Sequence, residues 1–286
     1  MSARFGPAGN SDSFAAMKYK HTLHIPEYIE KMGLNAYEYQ CGRGVNIGEQ
    51  KAIEFGQAAA KKNIAISLHA PYYISMSSVD EEKRLNSIKY ILDSARAVKA
   101  MGGNRIVVHT GSCGKIDRAY ALELALDTMK RAIQALDENG LTNIRVCPET
   151  MGKINQLGTL DEVLALCKLD ERLIPCIDFG HINARTHGSL KTYADFEAVF
   201  DRIEDKLGLA RLNEFHSHFS KIEYTEGGEK CHLTFADEVF GPNFEPVIDL
   251  VLKKNCSPVI ICESAGTQAE DAKSMMDYYE MGGSAK

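Results

Sequence analysis

The stretch "IPCIDFGHINART" (residues 174–186) gives the clearest indication of the fold. An apolar run leads to Asp178, and His181 follows three residues later. A short apolar run of this kind is typical of a buried strand, and a carboxylate at its end is costly unless a charge or hydrogen bonds satisfy it. The pattern therefore predicts a buried strand that delivers Asp178 and His181 to one pocket.

Strand-like runs of this kind alternate with helical patterns along the chain. Strands are predicted over residues 3–6, 35–40, 64–69, 105–109, 143–149, 173–178, 211–216 and 258–263, and helices over stretches such as 81–101, 117–139 and 160–169. Eight strand–helix units in 286 residues predict an α/β protein, a (β/α)8 TIM barrel that forms a single domain over residues 1–286. A doubly wound sheet is the alternative, but its glycine-rich phosphate turn is missing.

Composition predicts a cytoplasmic globular protein with no membrane partner. Hydrophobic residues make up 44% of the chain and charged residues 25%, and no apolar stretch approaches the roughly 20 residues that span a bilayer. The N-terminus lacks the apolar core of a signal peptide. Eight cysteines without a CxxC pair indicate free buried thiols. The net charge of −6 offers nucleic acid no bulk attraction, although bound cations or a local basic rim can offset it.

Chemically versatile side chains stand at the ends of the predicted strands 3 to 8. In a barrel these ends converge on one mouth, so residues far apart in sequence become neighbours. Singly, each is typical of a hydrogen-bonded structural residue, but together they would repel or stay unsatisfied without cations. Histidine with carboxylate suits Zn²⁺, Mn²⁺ or Fe²⁺, and the set exceeds what one ion needs. The sequence predicts a multinuclear metal site made of His69, His109, Glu149, Asp178, His181, His216 and Glu263.

A second cluster follows the seventh strand, in "HSHFSKIEYTEGGEKCHLTF" (216–235). Gly227 and Gly228 mark a turn that could swing Glu229 and His232 over the barrel mouth. Glu223 and Glu226 are better interpreted as solvated charges of a loop.

These residues resemble the endonuclease IV family, the metal-dependent apurinic/apyrimidinic (AP) endonucleases within the xylose isomerase-like TIM-barrel superfamily. The resemblance runs from about residue 36 to 264 and rests on six motifs: "LHAPYYI", "VVHTGS", "ETMGKINQLGTLDEV", "CIDFGHINA", "HSHFSK" and "ICES". It implies a barrel that binds three metals, usually Zn²⁺, and cleaves DNA 5′ to an abasic site with a metal-bridging hydroxide. Glu149 and Glu263 are the implied catalytic residues.

The resemblance also implies a division of the ligands. His69, His109 and Glu149 resemble the ligands of one metal, and Glu149 is similar to the carboxylate shared with a second metal, which Asp178, His216 and Glu263 complete. His181 resembles a ligand of a third metal, which an Asp-x-His pair completes in the family. Here that pair reads Glu229-Lys-Cys-His232, one residue longer and with Glu for Asp.

Two further residues are implied to contact substrate. Tyr72 occupies the place of an aromatic residue that family members insert near the abasic site, and a tyrosine packed at the rim is the alternative. Arg43 is the only basic residue in the loop after the second strand, where members probe DNA.

A sugar isomerase or epimerase of the same superfamily is the alternative function. Glu149, Asp178, His216 and Glu263 could then hold a single Mn²⁺ or Mg²⁺, and the substrate would be a sugar. Such a mechanism does not need His69 and His109 as ligands, so one ion per chain favours the isomerase and two or three favour the nuclease. A small phosphate ester is a further possible substrate of the nuclease-like ions.

Overall fold

The computed structural model describes residues 2–283 and contains ten strands within them. They are β1 (Arg4–Pro7), β2 (Ala36–Gln40), β3 (Ala65–His69), β4 (Arg105–Val108), β5 (Arg145–Pro148), β6 (Cys176–Asp178), β7 (His216–Phe219), β8 (Ile222–Thr225), β9 (Gly228–His232) and β10 (Val259–Cys262). Strands β8 and β9 form an antiparallel hairpin. The other eight strands are parallel.

The eight parallel strands close into a barrel. They form two four-stranded sheets, in the orders β1-β10-β7-β6 and β2-β3-β4-β5. Isolated parallel bridges join the sheets at both seams: Ala8 pairs with Glu38 at one, and Val146 with Leu173 and Glu149 with Cys176 at the other. The predicted (β/α)8 TIM barrel is therefore confirmed.

Helices cover the outside of the barrel. They are α1 (Asp12–Ala16), α2 (Ile25–Lys31), α3 (Glu49–Lys61), α4 (Glu81–Ala100), α5 (Arg118–Glu138), α6 (Leu160–Cys167), α7 (Phe179–Arg185), α8 (Tyr193–Leu207), α9 (Leu209–Asn213), α10 (Glu245–Lys253) and α11 (Gln268–Glu280). The side chains of Asp80 and Asp117 accept hydrogen bonds from the first turns of α4 and α5, which sets where these helices begin. None of the helices within residues 2–283 is both long and apolar enough to cross a bilayer.

The seventh strand lies later in the sequence than predicted. Residues 209–213, a run of the helix formers Leu, Ala and Arg, form α9 instead of the start of a strand. Strand β7 begins at His216, where the predicted strand ended. The prediction of 211–216 was wrong because "HSHF" carries two histidines where an apolar run was expected, and this shift changes which histidine reaches the mouth.

The interior of the barrel contains both polar and apolar side chains. Glu38, Ser67, His216 and His218 are buried inside the barrel. A small cluster of Val107, Cys147, Ile174 and Cys176 packs separately from the main core, which fills the space between strands and helices. All eight cysteines are free, and Cys231 alone among them is exposed.

Candidate metal centre

The carboxyl ends of the strands surround a cavity of about 530 Å³. His69 and Asp178 are the last residues of β3 and β6, while His109, Glu149 and Glu263 come directly after β4, β5 and β10. Each follows a buried strand that holds its backbone in place. The structure therefore brings these five predicted residues together at one end of the barrel.

The first group consists of His69, His109 and Glu149. The Nε2 atoms of His69 and His109 both lie 3.4 Å from Glu149 Oε2. His69 Nδ1 donates to the carbonyl oxygen of Ala70 at 2.9 Å, because a carbonyl can only accept. This contact commits Nδ1 to the backbone and leaves Nε2 as the nitrogen that could bind an ion beside Glu149, an arrangement typical of metal-binding histidines.

The second group consists of Glu149, Asp178, His218 and Glu263, and it shares Glu149 with the first. His218 Nδ1 lies 3.2 Å from Glu149 Oε1 and 3.5 Å from Glu263 Oε1. Asp178 caps α7, because its Oδ1 accepts a hydrogen bond from the His181 backbone N–H at 2.7 Å. The shared carboxylate places two candidate sites side by side.

The third group consists of His181, Glu229 and His232. His181 Nε2 lies 3.4 Å from Glu229 Oε2, and His232 Nε2 lies 4.0 Å from Glu229 Oε1. The β8–β9 hairpin turns at Glu226 and Gly227, and Glu229 donates its backbone N–H to the Gly152 carbonyl at 3.1 Å. The hairpin therefore folds back over the mouth and carries both of its predicted residues there.

A bulge in this hairpin accounts for the longer spacing of Glu229 and His232. The pairing passes from Cys231 opposite Glu223 to Glu229 opposite Tyr224, so Lys230 is the extra residue. Residues three apart in a regular strand point to opposite faces, whereas one bulged residue restores a common face. The insertion that separates this chain from the Asp-x-His pattern is absorbed by the bulge.

His216 lies outside these three groups at the mouth, and with Cys176 and His218 it forms a separate group of potential ligands deeper in the barrel. His216 and His218 point to the same side of β7, but His216 comes two residues earlier, about 7 Å further from the mouth along the strand. In the strand register His218 pairs with Asp178, whereas His216 pairs with Cys176. His216 Nε2 hydrogen-bonds Glu38 Oε2 at 3.0 Å, and burial lowers the pKa of His216 to about 4.

The electrostatics of the site favour an ionised Glu149 and a cationic His181. Burial alone would raise the pKa of Glu149, but the histidines around it, His218 foremost, hold that pKa well below its usual range. Burial would likewise lower the pKa of His181, yet the carboxylates of Asp178 and Glu149 raise it well above its usual value. The pKa of Asp178 itself is raised, chiefly by burial.

The donor set fits divalent cations. Two fully buried oxygens, Glu149 Oε2 and Asp178 Oδ2, have no hydrogen-bond partner within the described part of the chain. Buried polar atoms are nearly always partnered, so atoms left open in a cluster of imidazoles and carboxylates are typical of a metal site. The residues present can therefore hold metal ions in three adjoining groups.

Of the two predicted substrate residues, Tyr72 lines the cavity and Arg43 does not. Tyr72 is 61% exposed, lines the cavity and contacts the rings of His69 and His109, with centroids 5.8 and 5.6 Å apart. Arg43 is exposed and does not line the cavity, although its loop packs against Tyr72 through Gly42. Lys153 is the one lysine or arginine among the described residues that line it.

Sequence reasoning missed Glu38, and it did not assign His218 as a ligand. Glu38 is the middle residue of "AYEYQ", and its carboxylate is fully buried beneath the mouth. The signal was available, because a glutamate at an inward position of a predicted buried strand needs partners. For His218, the alternation in "HSHF" places both histidines on one face and leaves only their depth undecided.

The sequence of the chain matches a known protein family. The sequence profile described as xylose isomerase-like TIM barrel matches residues 26–280. The chain belongs to this family. An uncharacterised protein of Methanocaldococcus jannaschii is 33% identical over 258 residues, which cover 89% of this chain and 91% of the relative.

Other relatives of this chain are named as probable endonucleases. A probable endonuclease 4 of Acholeplasma laidlawii is 28% identical over 163 residues, 55% of this chain. The match covers 53% of that relative, so the chain spans about half the length of that endonuclease.

Solved structures share the fold with nucleases and epimerases alike. Endonuclease IV from Thermus thermophilus superposes with a TM-score of 0.65 at 17% identity, covering 97% of this chain and 98% of that one. The 3-keto-D-glucoside 4-epimerase from E. coli has a TM-score of 0.69 at 15% identity, with coverages of 98% and 100%. At these identities the likeness shows the fold alone.

Proposed function

We propose that the chain is a metal-dependent phosphodiester hydrolase of the endonuclease IV type, which cleaves DNA 5′ to abasic sites. One observation carries the proposal: His69 and His109 converge on Glu149 beside the second group, so the mouth offers more ligands than a single ion needs. An isomerase site built on one ion has no use for these two histidines. The relatives named as probable endonuclease 4 support the same reaction class.

The three groups of side chains would each hold one metal ion. The first and second groups would each hold one ion, with Glu149 as a ligand of both. His181, Glu229 and His232 would hold a third ion. Zn²⁺ is the proposed ion, with Mn²⁺ and Fe²⁺ suited to the same ligands; when bound, such ions supply positive charge for phosphate oxygens and lower the pKa of water toward ~7.

Glu263 is the carboxylate best placed to take a proton during hydrolysis. Its side chain is 15% exposed, whereas those of Glu149 and Asp178 are closed off from solvent. It can therefore orient the attacking water and accept its proton, while Glu149 remains ionised as a shared ligand. The exposed ring of Tyr72 at the rim would stack in the gap left by the missing base.

The test is incision of a duplex that contains one abasic site. We expect metal-loaded protein to cut the strand 5′ to that site, and a chelator to abolish the cut. Absence of incision by protein shown to carry two or three ions per chain would refute the proposed reaction.

A sugar epimerase is the second candidate, and one observation favours it. Glu149, Asp178, His218 and Glu263 alone form a complete site for one ion, and the cavity offers a single lysine to a polyanion such as DNA. One tightly bound ion per chain, together with turnover of a ketose such as D-tagatose, would establish this function instead. The metal count separates the two candidates before any substrate is tested.

A further inference from the structure

Glu38 lies at the centre of the barrel, below the candidate metal groups. Its Oε2 accepts hydrogen bonds from Ser67 Oγ at 2.8 Å and from His216 Nε2 at 3.0 Å. Its Oε1 lies 2.9 Å from His218 Nε2, at an angle bent away from that of a regular hydrogen bond. The carboxylate is fully buried, so these side chains and Gln40 supply its contacts in place of water.

The two nitrogens of His218 face opposite ways. Nε2 faces Glu38, while Nδ1 faces Glu149 and Glu263 in the second group. Nδ1 also lies within hydrogen-bond distance of Glu149 Oε1, at 3.2 Å, and a carboxylate can only accept. An ion bound at Nδ1 would use the lone pair of that nitrogen, so the ring proton would then lie on Nε2, facing Glu38.

We propose that Glu38 is a positioning residue, which fixes the ring orientation and the Nε2–H tautomer of His218 for metal binding through Nδ1. The inference rests on the proposed metal function of the second group. Carboxylate partners of metal-binding histidines act in this way in other metalloproteins, where they orient the ring and raise the basicity of the ligand. Strand β2 thereby acts on the metal centre, although it contributes no ligand of its own.

The substitution Glu38→Gln tests the proposal because a glutamine cannot accept from every partner at once. Ser67, His216 and His218 each present a proton to the carboxylate, and the amide nitrogen of Gln can accept none of them. We expect the ion of the second group, which His218 helps to form, to bind roughly 10- to 100-fold more weakly, measured by Zn²⁺ competition with a chelator. The ion of the His181 group serves as the internal reference and is expected to keep its affinity, because Glu38 contacts Ser67, Gln40, His216 and His218 instead of that group.

Ser67→Ala is the matched control. It removes one hydrogen bond to Oε2 but leaves the contact between Oε1 and His218, so we expect less than about a threefold change in affinity. A folded Glu38→Gln protein that binds Zn²⁺ as tightly as wild type would overturn the proposal. An equal loss of affinity at all three groups would overturn it too, since that result indicates a general defect of the fold.

A measurement on the wild-type protein covers the case in which Glu38→Gln does not fold. In Zn²⁺-loaded protein labelled with ¹⁵N-histidine, long-range ¹H–¹⁵N spectra report which nitrogen of His218 is protonated, with His218→Asn as the assignment control. We expect the proton on Nε2, and a proton on Nδ1 would overturn the proposal. Metal affinity and tautomer are read without DNA, so a failure to incise abasic sites would refute the hydrolase function and leave this inference standing.

Discussion

The side chain of Glu229 packs directly against Gly152. A Cβ built on Gly152 would lie 2.6 Å from the Glu229 Cβ, 2.8 Å from Glu229 Oε2 and 2.8 Å from the His181 ring. The hairpin that carries Glu229 also pairs with this segment, through a bridge between Lys153 and Gly228. The third group is therefore shaped by the absence of a side chain at position 152.

The substitution Gly152→Ala should remove the third ion selectively. The added methyl must displace both Glu229 and His181, while the first two groups stay in place. We expect one metal equivalent fewer per chain, measured by elemental analysis after dialysis. Gly48→Ala is the control, because no atom lies within 4 Å of a Cβ at that position. An unchanged metal count in Gly152→Ala would contradict a role of Glu229 as a ligand.

The two histidines of β7 should differ sharply in their effect on metal binding. His218→Asn removes a proposed direct ligand, so we expect affinity at the second group to fall by more than the roughly 100-fold typical of outer contacts. His216→Asn alters a residue one layer deeper, and we expect a change of less than about tenfold. Titration of both folded variants with Zn²⁺ measures the two affinities, and a larger loss in His216→Asn would contradict the role of His218 as the ligand from β7.

Tyr72 should contribute to substrate binding but not to metal binding. If the exposed ring stacks at an abasic gap, Tyr72→Ala raises the KM for incision by about 5- to 150-fold, the range expected for one stacking contact. Tyr72→Phe should retain most of the activity. Tyr73→Ala is the matched control, since Tyr73 is 56% exposed yet contacts Tyr90 instead of the ligand histidines. Equal losses in the two alanine variants would argue against stacking by Tyr72.

Glu162 should stabilise the protein in a pH-dependent way. It accepts hydrogen bonds from Arg118 and from the backbone N–H groups of Gly158 and Thr159, next to the loop that lines the mouth. Burial alone would raise the pKa of Glu162, but these partners, Arg118 foremost, lower it below the ordinary 4.5. A lowered pKa means that the stabilisation is present above about pH 4.5 and is lost as the pH falls through the folded value.

The variant Glu162→Gln should therefore lower the free energy of unfolding by about 1 to 3 kcal/mol at pH 7, and the difference from wild type should shrink below pH 4.5. Urea unfolding in the presence of a chelator measures both. Glu123→Gln, at an exposed position of α5, should change stability by no more than about 0.5 kcal/mol. A difference that stays constant with pH would contradict the ionised state of Glu162.

The barrel and most of its mouth could be predicted because strand ends are local features of sequence. Apolar runs that end at His69, Glu149, Asp178 or Glu263 predict both a buried strand and the polar residue at its end. The closure of the barrel then brings such ends together whatever their separation in the chain. The hairpin was equally local, because Gly227 and Gly228 predict a turn there, and in the structure Glu229 and His232 line the cavity.

The depth of a side chain in the barrel and the pairing of the strands could not be predicted from such local features. Two histidines in alternation point to the same side of a strand, so only the register of β7 against β6 placed His218 level with Asp178 and left His216 below. The bulge at Lys230 likewise depends on the pairing of two strands. The role of Glu38 depends on the closed barrel, because its hydrogen-bond partners come from β3 and β7. The sequence alone does not show that these strands lie next to its carboxylate.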